Sequence, residues 1–351
     1  MRTFLTTALM IFLGGIGGVI AKKIGMPLPY MLGALLTTSV LSVLVPRIFP
    51  EGYQTPNWVR SVFIAVIGLA IGSKVTLEVL WELRNAVPSF IALILFVPLA
   101  LWTNYLIFRR IGGYDPATAY FSGTPGGLVE AMLMGEQAGA QDHIVTMQQF
   151  LRIIFVVTML PVGLSIYYGH PVGSSAGMTL GRDNAGLEHL PEILVLGAIG
   201  IFLGRLQLIP AGQLVGPLAV GAIATITGLA VLDMPGWMLS VAQVVIGALL
   251  GTRFNGIKAG MIVKGAWLSF LSVSSMLILG GIFAALVRPL TGEPFDVLLV
   301  SLTPGGVTEM ALIALSLQAN PAFVTMHHIF RILLTVMAMS WAYKRYLAPR
   351  K

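Results

Sequence analysis

Charged residues in this chain are spaced so widely that long windows contain none. Such windows run from Thr3 to Ala21, Ile24 to Pro46, Pro88 to Phe108, Ile153 to Gly181, Leu206 to Leu232, Met234 to Thr252 and Gly265 to Val287. Each reaches the ~17 to 25 apolar residues that a helix needs to cross a bilayer. The segments between them are short or carry an ionisable residue. The first window follows only Arg2, and no small-residue cleavage site precedes Lys22-Lys23, so a retained helix is expected there rather than a signal peptide.

Composition agrees with that pattern. Of 351 residues, 56% are hydrophobic and 10% charged, with a mean hydropathy of +0.89; soluble chains carry roughly 25% charged residues. The net charge of +7 does not mark a nucleic-acid-binding face, because the Lys and Arg residues are scattered between apolar runs, as membrane topology requires. The absence of cysteine excludes disulfide scaffolds, Cys-ligated zinc and Cys nucleophiles. No stretch reads as a soluble domain, and the polar segment near Gly181 to Pro191 reads as a linker.

The chain repeats itself. An offset of 179 carries Pro56 to Pro235, Trp58 to Trp237, Gly68 to Gly247, Gly72 to Gly251, Lys74 to Arg253 and Arg109 to Arg288. It also carries Thr124-Pro125-Gly126-Gly127 to Thr303-Pro304-Gly305-Gly306, Glu130 to Glu309, Val145-Thr146-Met147 to Val324-Thr325-Met326, and Arg152-Ile153 to Arg331-Ile332. Nearer the start the offset is 183, with Gly14, Gly17, Pro27 and Gly33 matching Gly197, Gly200, Pro210 and Gly216. A constant offset of this extent marks a tandem duplication. The expected organisation is a first membrane repeat over 1–170, a linker over 171–190 and a second repeat over 191–351.

Basic residues bear on topology. If every segment crosses, the halves are parallel, and the 19 Lys and Arg residues outside the Arg152 and Arg331 helices divide 11 to 8. If the Pro-Gly-Gly segments make no net crossing, the halves are inverted, and the division is 13 to 6. The second division satisfies the positive-inside rule better. The expected fold is therefore an all-α polytopic membrane protein of two inverted repeats, with about ten crossings plus two broken or re-entrant Pro-Gly-Gly segments. Both termini are then cytoplasmic, and the location is a bacterial inner membrane.

Proline removes a backbone donor and two glycines remove side-chain support, so Thr-Pro-Gly-Gly makes a poor helix interior. Unpaired backbone groups in a bilayer are tolerated only where protein buries them or water reaches them. Two symmetric breaks thus point to a central cavity, with half-helix N-termini from Leu128 and Val307 offering a seat for an anion or polar group. The competing reading is a packing or kink element. Glu130 and Glu309 lie just past the breaks, as carriers of a coupling H+ or Na+ or as caps on the first turn of each half-helix.

Arg152 and Arg331 sit in otherwise apolar segments, "TMQQFLRIIFVV" and "TMHHIFRILLTV". Gln148 shares a helix face with Arg152, and His327 with Arg331, four residues apart. Such a stripe could line the cavity, or each Arg could tie two helices together through Glu130 or Glu309. His327 and His328 are candidate pH-sensitive groups, although adjacent histidines diverge on a helix, which argues against a two-His metal site. Lys74 and Arg253 read as interface anchors, and Asn104, Gln213 and Gln243 as pathway residues or interhelical hydrogen bonds. In "LGGIGGVIA" the spacing of Gly14 and Gly18 reads as close helix packing, not as a phosphate loop.

The doubled "TPGG…E", followed by "VTMQQFLRI" and "VTMHHIFRI", resembles the duplicated membrane proteins of the AbrB family, which also carry the names ammonia monooxygenase and regulator. The small soluble DNA-binding regulator of the same name is a different protein. The resemblance covers nearly the whole chain and implies a polytopic bacterial inner-membrane protein. A monooxygenase needs clustered metal ligands, and five His without a helical His-x-x-x-His pair supply none. A regulator needs a DNA-reading domain, for which there is no room.

The expected function is a secondary transporter of a small anionic or zwitterionic metabolite, ion-coupled and working by alternating access. The alternative is a membrane regulator or receptor that acts on gene expression indirectly. The expected substrate-binding residues are Thr124, Pro125, Gly126, Gly127, Gln148, Arg152, Thr303, Pro304, Gly305, Gly306, His327 and Arg331, with Glu130 and Glu309 coupling H+ or Na+. No catalytic residue, cofactor or metal is expected. The partners are a small-molecule substrate and the lipid bilayer, with nucleic acid excluded and a homodimer left open.

Overall fold

A computed structural model of the chain describes residues 2–26, 28–77, 83–169, 188–205, 212–230, 232–257, 259–317, 319–343 and 345. The described residues form fourteen α-helices and no strand. The first seven are α1 (Arg2–Lys23), α2 (Pro29–Leu44), α3 (Asn57–Gly72), α4 (Val87–Leu106), α5 (Pro116–Ser122), α6 (Leu128–Gln137) and α7 (Asp142–Tyr168). The second seven are α8 (Leu190–Gly204), α9 (Gly212–Ile226), α10 (Gly236–Gly251), α11 (Ala259–Thr291), α12 (Phe295–Leu302), α13 (Val307–Ser316) and α14 (Pro321–Ala342). Most of the linker expected over 171–190 lies outside the described residues, as do Pro27 and Pro210 of the proposed repeat.

Six helical stretches are long and apolar enough to cross a membrane: Arg2–Lys23, Val87–Ile111, Asp142–Tyr168, Gly236–Phe254, Gly260–Thr291 and Pro321–Ala342. Four more apolar helices, α2, α3, α8 and α9, are shorter, at 15 or 16 residues. Two of these lie in charge-free windows that predicted a longer span. Proline and glycine set the difference: α2 begins on Pro29 and gives way before Pro46, and after α9 the chain turns at Gly228 with φ +68°. In the other direction, α7 starts at Asp142 and carries Arg152 inside the helix, well before the apolar window opens at Ile153. Large apolar side chains such as Phe12, Ile94, Trp102, Ile278, Leu286 and Trp341 are exposed, as expected of a surface solvated by lipid.

The chain divides into two compact units, each drawing on both halves of the sequence. One comprises Met1–Glu82, Pro161–Gly256 and Ala311–Phe323; the other comprises Leu83–Leu160, Ile257–Met310 and Val324–Lys351. In the first unit, helices approach through glycines. α3 meets α9 where a Cβ on Gly68 would come within 2.6 Å of the Leu214 carbonyl oxygen, and α10 meets α2 where a Cβ on Gly251 would come within 2.6 Å of the Leu35 carbonyl oxygen. Thr38 fixes the second contact by donating to the carbonyl of Ala248 at 3.1 Å. Without a hydrophobic drive between helices in lipid, close backbone contact of this kind is what holds them together.

The second unit pairs α4 with α11. Buried Asn104 on α4 donates to the carbonyl of Gly123 at 2.9 Å and accepts from Ser272 on α11 at 2.9 Å. Asn104 is thus an interhelical hydrogen bond that also anchors the end of α5. Phe121, Ala131, Val145 and Met339 form an apolar core around the first break, and Tyr120 donates to the carbonyl of Ala338 on α14 at 3.2 Å.

Candidate functional site

The helix breaks fall where the two Thr-Pro-Gly-Gly segments lie. α5 stops at Ser122 and the helix resumes at Leu128; α12 stops at Leu302 and the helix resumes at Val307. A helix that ends inside the protein leaves carbonyls without partners and a partial negative charge at its end. Arginine meets that need in both copies. Arg152 donates to the Thr124 carbonyl at 2.5 Å, and Arg331 donates to the Thr303 carbonyl at 2.5 Å and to the Gly305 carbonyl at 2.9 Å. Arg331 is 0% exposed and Arg152 6%, so both guanidiniums depend on protein groups for compensation.

A second side chain on each of these helices reaches one turn further back. Gln149 donates through Nε2 to the Phe121 carbonyl at 2.8 Å and to the Thr124 hydroxyl at 2.8 Å. His328 places Nε2 3.0 Å from the Val300 carbonyl, and since a carbonyl only accepts, this nitrogen carries the proton. Gln149 and His328 lie three residues before their arginines, on the same helix face. Gln149 was not among the residues expected from sequence, and His328 was expected only as a pH-sensitive group, although the i, i+3 spacing to Arg152 and Arg331 is a signal that could have pointed to both.

Gln148 and His327, one position earlier, bond to other helices. Gln148 donates to the Tyr114 hydroxyl at 3.0 Å and accepts from Ser269 at 2.5 Å; burial pushes the Tyr114 phenol above its ordinary pKa. His327 lies 2.7 Å from the Ser89 hydroxyl and stacks on Phe90 with ring centroids 4.3 Å apart. The Ser89 hydroxyl lies 2.7 Å from the Ala86 carbonyl as well.

The other side of each break is the N-terminus of the second half-helix. Gly127 caps α6 at φ +66°, and Glu130 is the third residue of that helix. A Cβ built on Gly306 would fall inside the carboxylate of Glu309, with Cδ at 2.7 Å, so Glu309 is folded back over the start of α13. Acidic groups in this position complement the positive helix end. Each break thus has a cation at its negative end and a carboxylate near its positive end. The guanidiniums bond to carbonyls rather than to Glu130 or Glu309. Gly126 stands beside Arg331: a Cβ there would lie 3.7 Å from Arg331 Nε and 3.5 Å from Ile332 and Thr335. Residues of the first break and the arginine of the second therefore meet. Arg152 is within electrostatic reach of Arg331.

Several buried polar atoms at the breaks have no hydrogen-bond partner among the described residues: Nε of Arg152 and Arg331, Oε1 of Gln149, Nδ1 of His328 and the Ser122 hydroxyl. An unsatisfied buried polar group costs ≈ 1–3 kcal/mol, and more when charged. Five of the nine such atoms among the described residues lie at the two breaks. No group of three or more His, Asp or Glu among the described residues is placed to hold a metal ion.

Six apolar helices of spanning length, together with paired helix breaks each bound by a buried arginine, define a membrane-type helical protein. Its family is shown by comparison: the chain belongs to the AbrB family, whose model, described as "Transition state regulatory protein AbrB", matches residues 39–346. The chain is 26% identical over 345 residues to YhjN of Bacillus subtilis (strain 168), covering 93% of this chain and 90% of that one; that protein's name assigns no activity. It is 24% identical over 299 residues to a protein of Escherichia coli (strain K12) provisionally named regulator AbrB, covering 83% of this chain and 85% of that one.

Proposed function

We propose that the protein is a secondary transporter for a small anionic or zwitterionic metabolite, with the two Thr-Pro-Gly-Gly breaks as its binding site and no enzymatic activity. The observation that carries this reading is the pair of buried arginines, each bound to the end of a broken helix and each with a buried Nε lacking a partner among the described residues. Charge at membrane depth is costly and marks substrate or ion pathways, and broken helices meeting in related pairs are how carriers build such sites.

The topology that fits is two inverted repeats of five crossings in a bacterial inner membrane, with both termini cytoplasmic. Corresponding helices support the repeat: α1 to α3 share one compact unit with α8 to α10, and most of α4 to α7 shares the other with most of α11 to α14; the split of basic residues favours its inversion. Alternating access would move the helices carrying the breaks, with H+ or Na+ as the coupling ion.

A second reading, a ligand-sensing regulator without flux, is favoured by the name of the E. coli relative. Ligands found by their effect on the melting temperature of purified protein, then tested for uptake into proteoliposomes under an imposed gradient, separate the two. Saturable, gradient-driven uptake supports transport. Binding without flux supports the regulator.

A further inference from the structure

In both breaks a polar side chain three residues before the arginine holds the same carbonyl position, but its chemistry differs. In the first, Gln149 holds the Phe121 carbonyl through Nε2 and leaves Oε1 buried without a partner among the described residues. In the second, His328 holds the Val300 carbonyl through Nε2 and leaves Nδ1 in the same condition. In both copies the side chain and the carbonyl it meets are 28 residues apart, so the two positions do the same structural work. The chain itself shows that glutamine suffices for that work. What histidine adds is an acceptor that can take up a proton; an amide oxygen at this position cannot.

We infer that His328 Nδ1 is the proton-binding atom of the site, and that Gln149 is its non-titrating counterpart. The inference rests on the transport reading for its consequence, which is coupling to H+, and on the structure alone for the protonation itself. The charged and titratable groups around His328 are His327 and Arg331 on its own helix, Arg152 on α7 through its nearness to Arg331, Asp296 one turn before Val300 on α12, and Glu309 at the start of α13. A proton on Nδ1 places a second cation one turn from a buried guanidinium. Two like charges in such a place are best held together with an anion between them. Proton and anion then occupy the site together, which assigns co-transport in one direction rather than exchange. Glu309, folded over the α13 N-terminus, is left with a structural role.

The test uses the full-length protein labelled with 15N-histidine in detergent micelles in acetate buffer, acetate supplying the anion between the two cations, with His328 assigned by its loss in His328→Gln. The expected result is an Nε2–H tautomer near neutral pH that converts reversibly to imidazolium on acidification while the protein stays folded. His328→Gln should keep the wild-type melting temperature and lose that one titration, and Gln149→His should gain a second. A His328 ring that stays neutral until the protein unfolds overturns the inference, as does a Gln149→His protein that folds but gains no titrating group. The transport reading fails by a different result, the absence of gradient-driven uptake by wild-type proteoliposomes, which leaves the titration untouched.

Discussion

Arg331 is bound to the carbonyl oxygen of Thr303 at 2.5 Å, at the point where α12 stops inside the protein. The same bond recurs between Arg152 and Thr124, 28 residues apart in each case. The two arginines differ in that Arg331 holds a second carbonyl, that of Gly305, at 2.9 Å.

That difference sets the relative cost of removing them. Replacement of either by methionine removes one buried charge, so relief of desolvation is common to both variants. Arg331→Met leaves one more carbonyl without a donor, worth ≈ 1–3 kcal/mol. Arg331→Met should therefore be less stable than Arg152→Met by about that amount, read from denaturation of the two proteins side by side in the same detergent. Equal stabilities would mean that the Gly305 bond contributes nothing.

The two glycines that precede the half-helices should respond differently to alanine. Gly306→Ala puts a methyl into the space of the Glu309 carboxylate, and such overpacking costs typically 1–3 kcal/mol. Adding Glu309→Ala should recover part of the loss. Gly127→Ala meets Glu130 only at an ordinary 3.4 Å, but its backbone sits at φ +66°, which costs an L residue roughly 1–2 kcal/mol. Glu130→Ala should not rescue it. A double-mutant cycle at each site reads the coupling directly.

Helix contacts in the unit that contains α2 and α10 depend on missing side chains. A Cβ on Gly251 would overlap the Thr38 hydroxyl and, among backbone atoms, come within 2.6 Å of the Leu35 carbonyl oxygen and 2.8 Å of the Ser39 nitrogen. Because the last two are backbone atoms, Gly251→Ala should separate the helices and lower the melting temperature. Gly163 in α7 has nothing within 4 Å of its Cβ position, so Gly163→Ala should be harmless. Thermal denaturation of the two variants gives the comparison.

Much of this was legible in the sequence because it rests on local chemistry. The Thr-Pro-Gly-Gly segments do interrupt the helices: a proline followed at once by two glycines combines a missing donor with two poor helix formers, whereas single prolines such as Pro98 and Pro161 and paired glycines such as Gly14-Gly15 are accommodated inside helices elsewhere. Arg152 and Arg331 stand out because a charge in an apolar helix needs a partner. The partner itself was not legible. A carbonyl at a helix end has no sequence signature, and the visible carboxylates Glu130 and Glu309 were the natural candidates. The choice between Gln148 and Gln149, or His327 and His328, was hidden for a similar reason. All four residues are buried, and both the i, i+3 and the i, i+4 spacing put a side chain on the arginine's face. Only packing shows that Ser269 and Tyr114 take Gln148, while Phe121 and Thr124 take Gln149.

The central claim is that the paired arginines bind an anion that crosses the membrane. Its most direct test loads proteoliposomes from outside with an anionic metabolite extract and reads the lumen by mass spectrometry. Wild-type vesicles should accumulate at least one anion that neither empty vesicles nor vesicles bearing folded Arg152→Gln protein take up. Lumenal contents identical for wild-type and empty vesicles under every imposed gradient would contradict it.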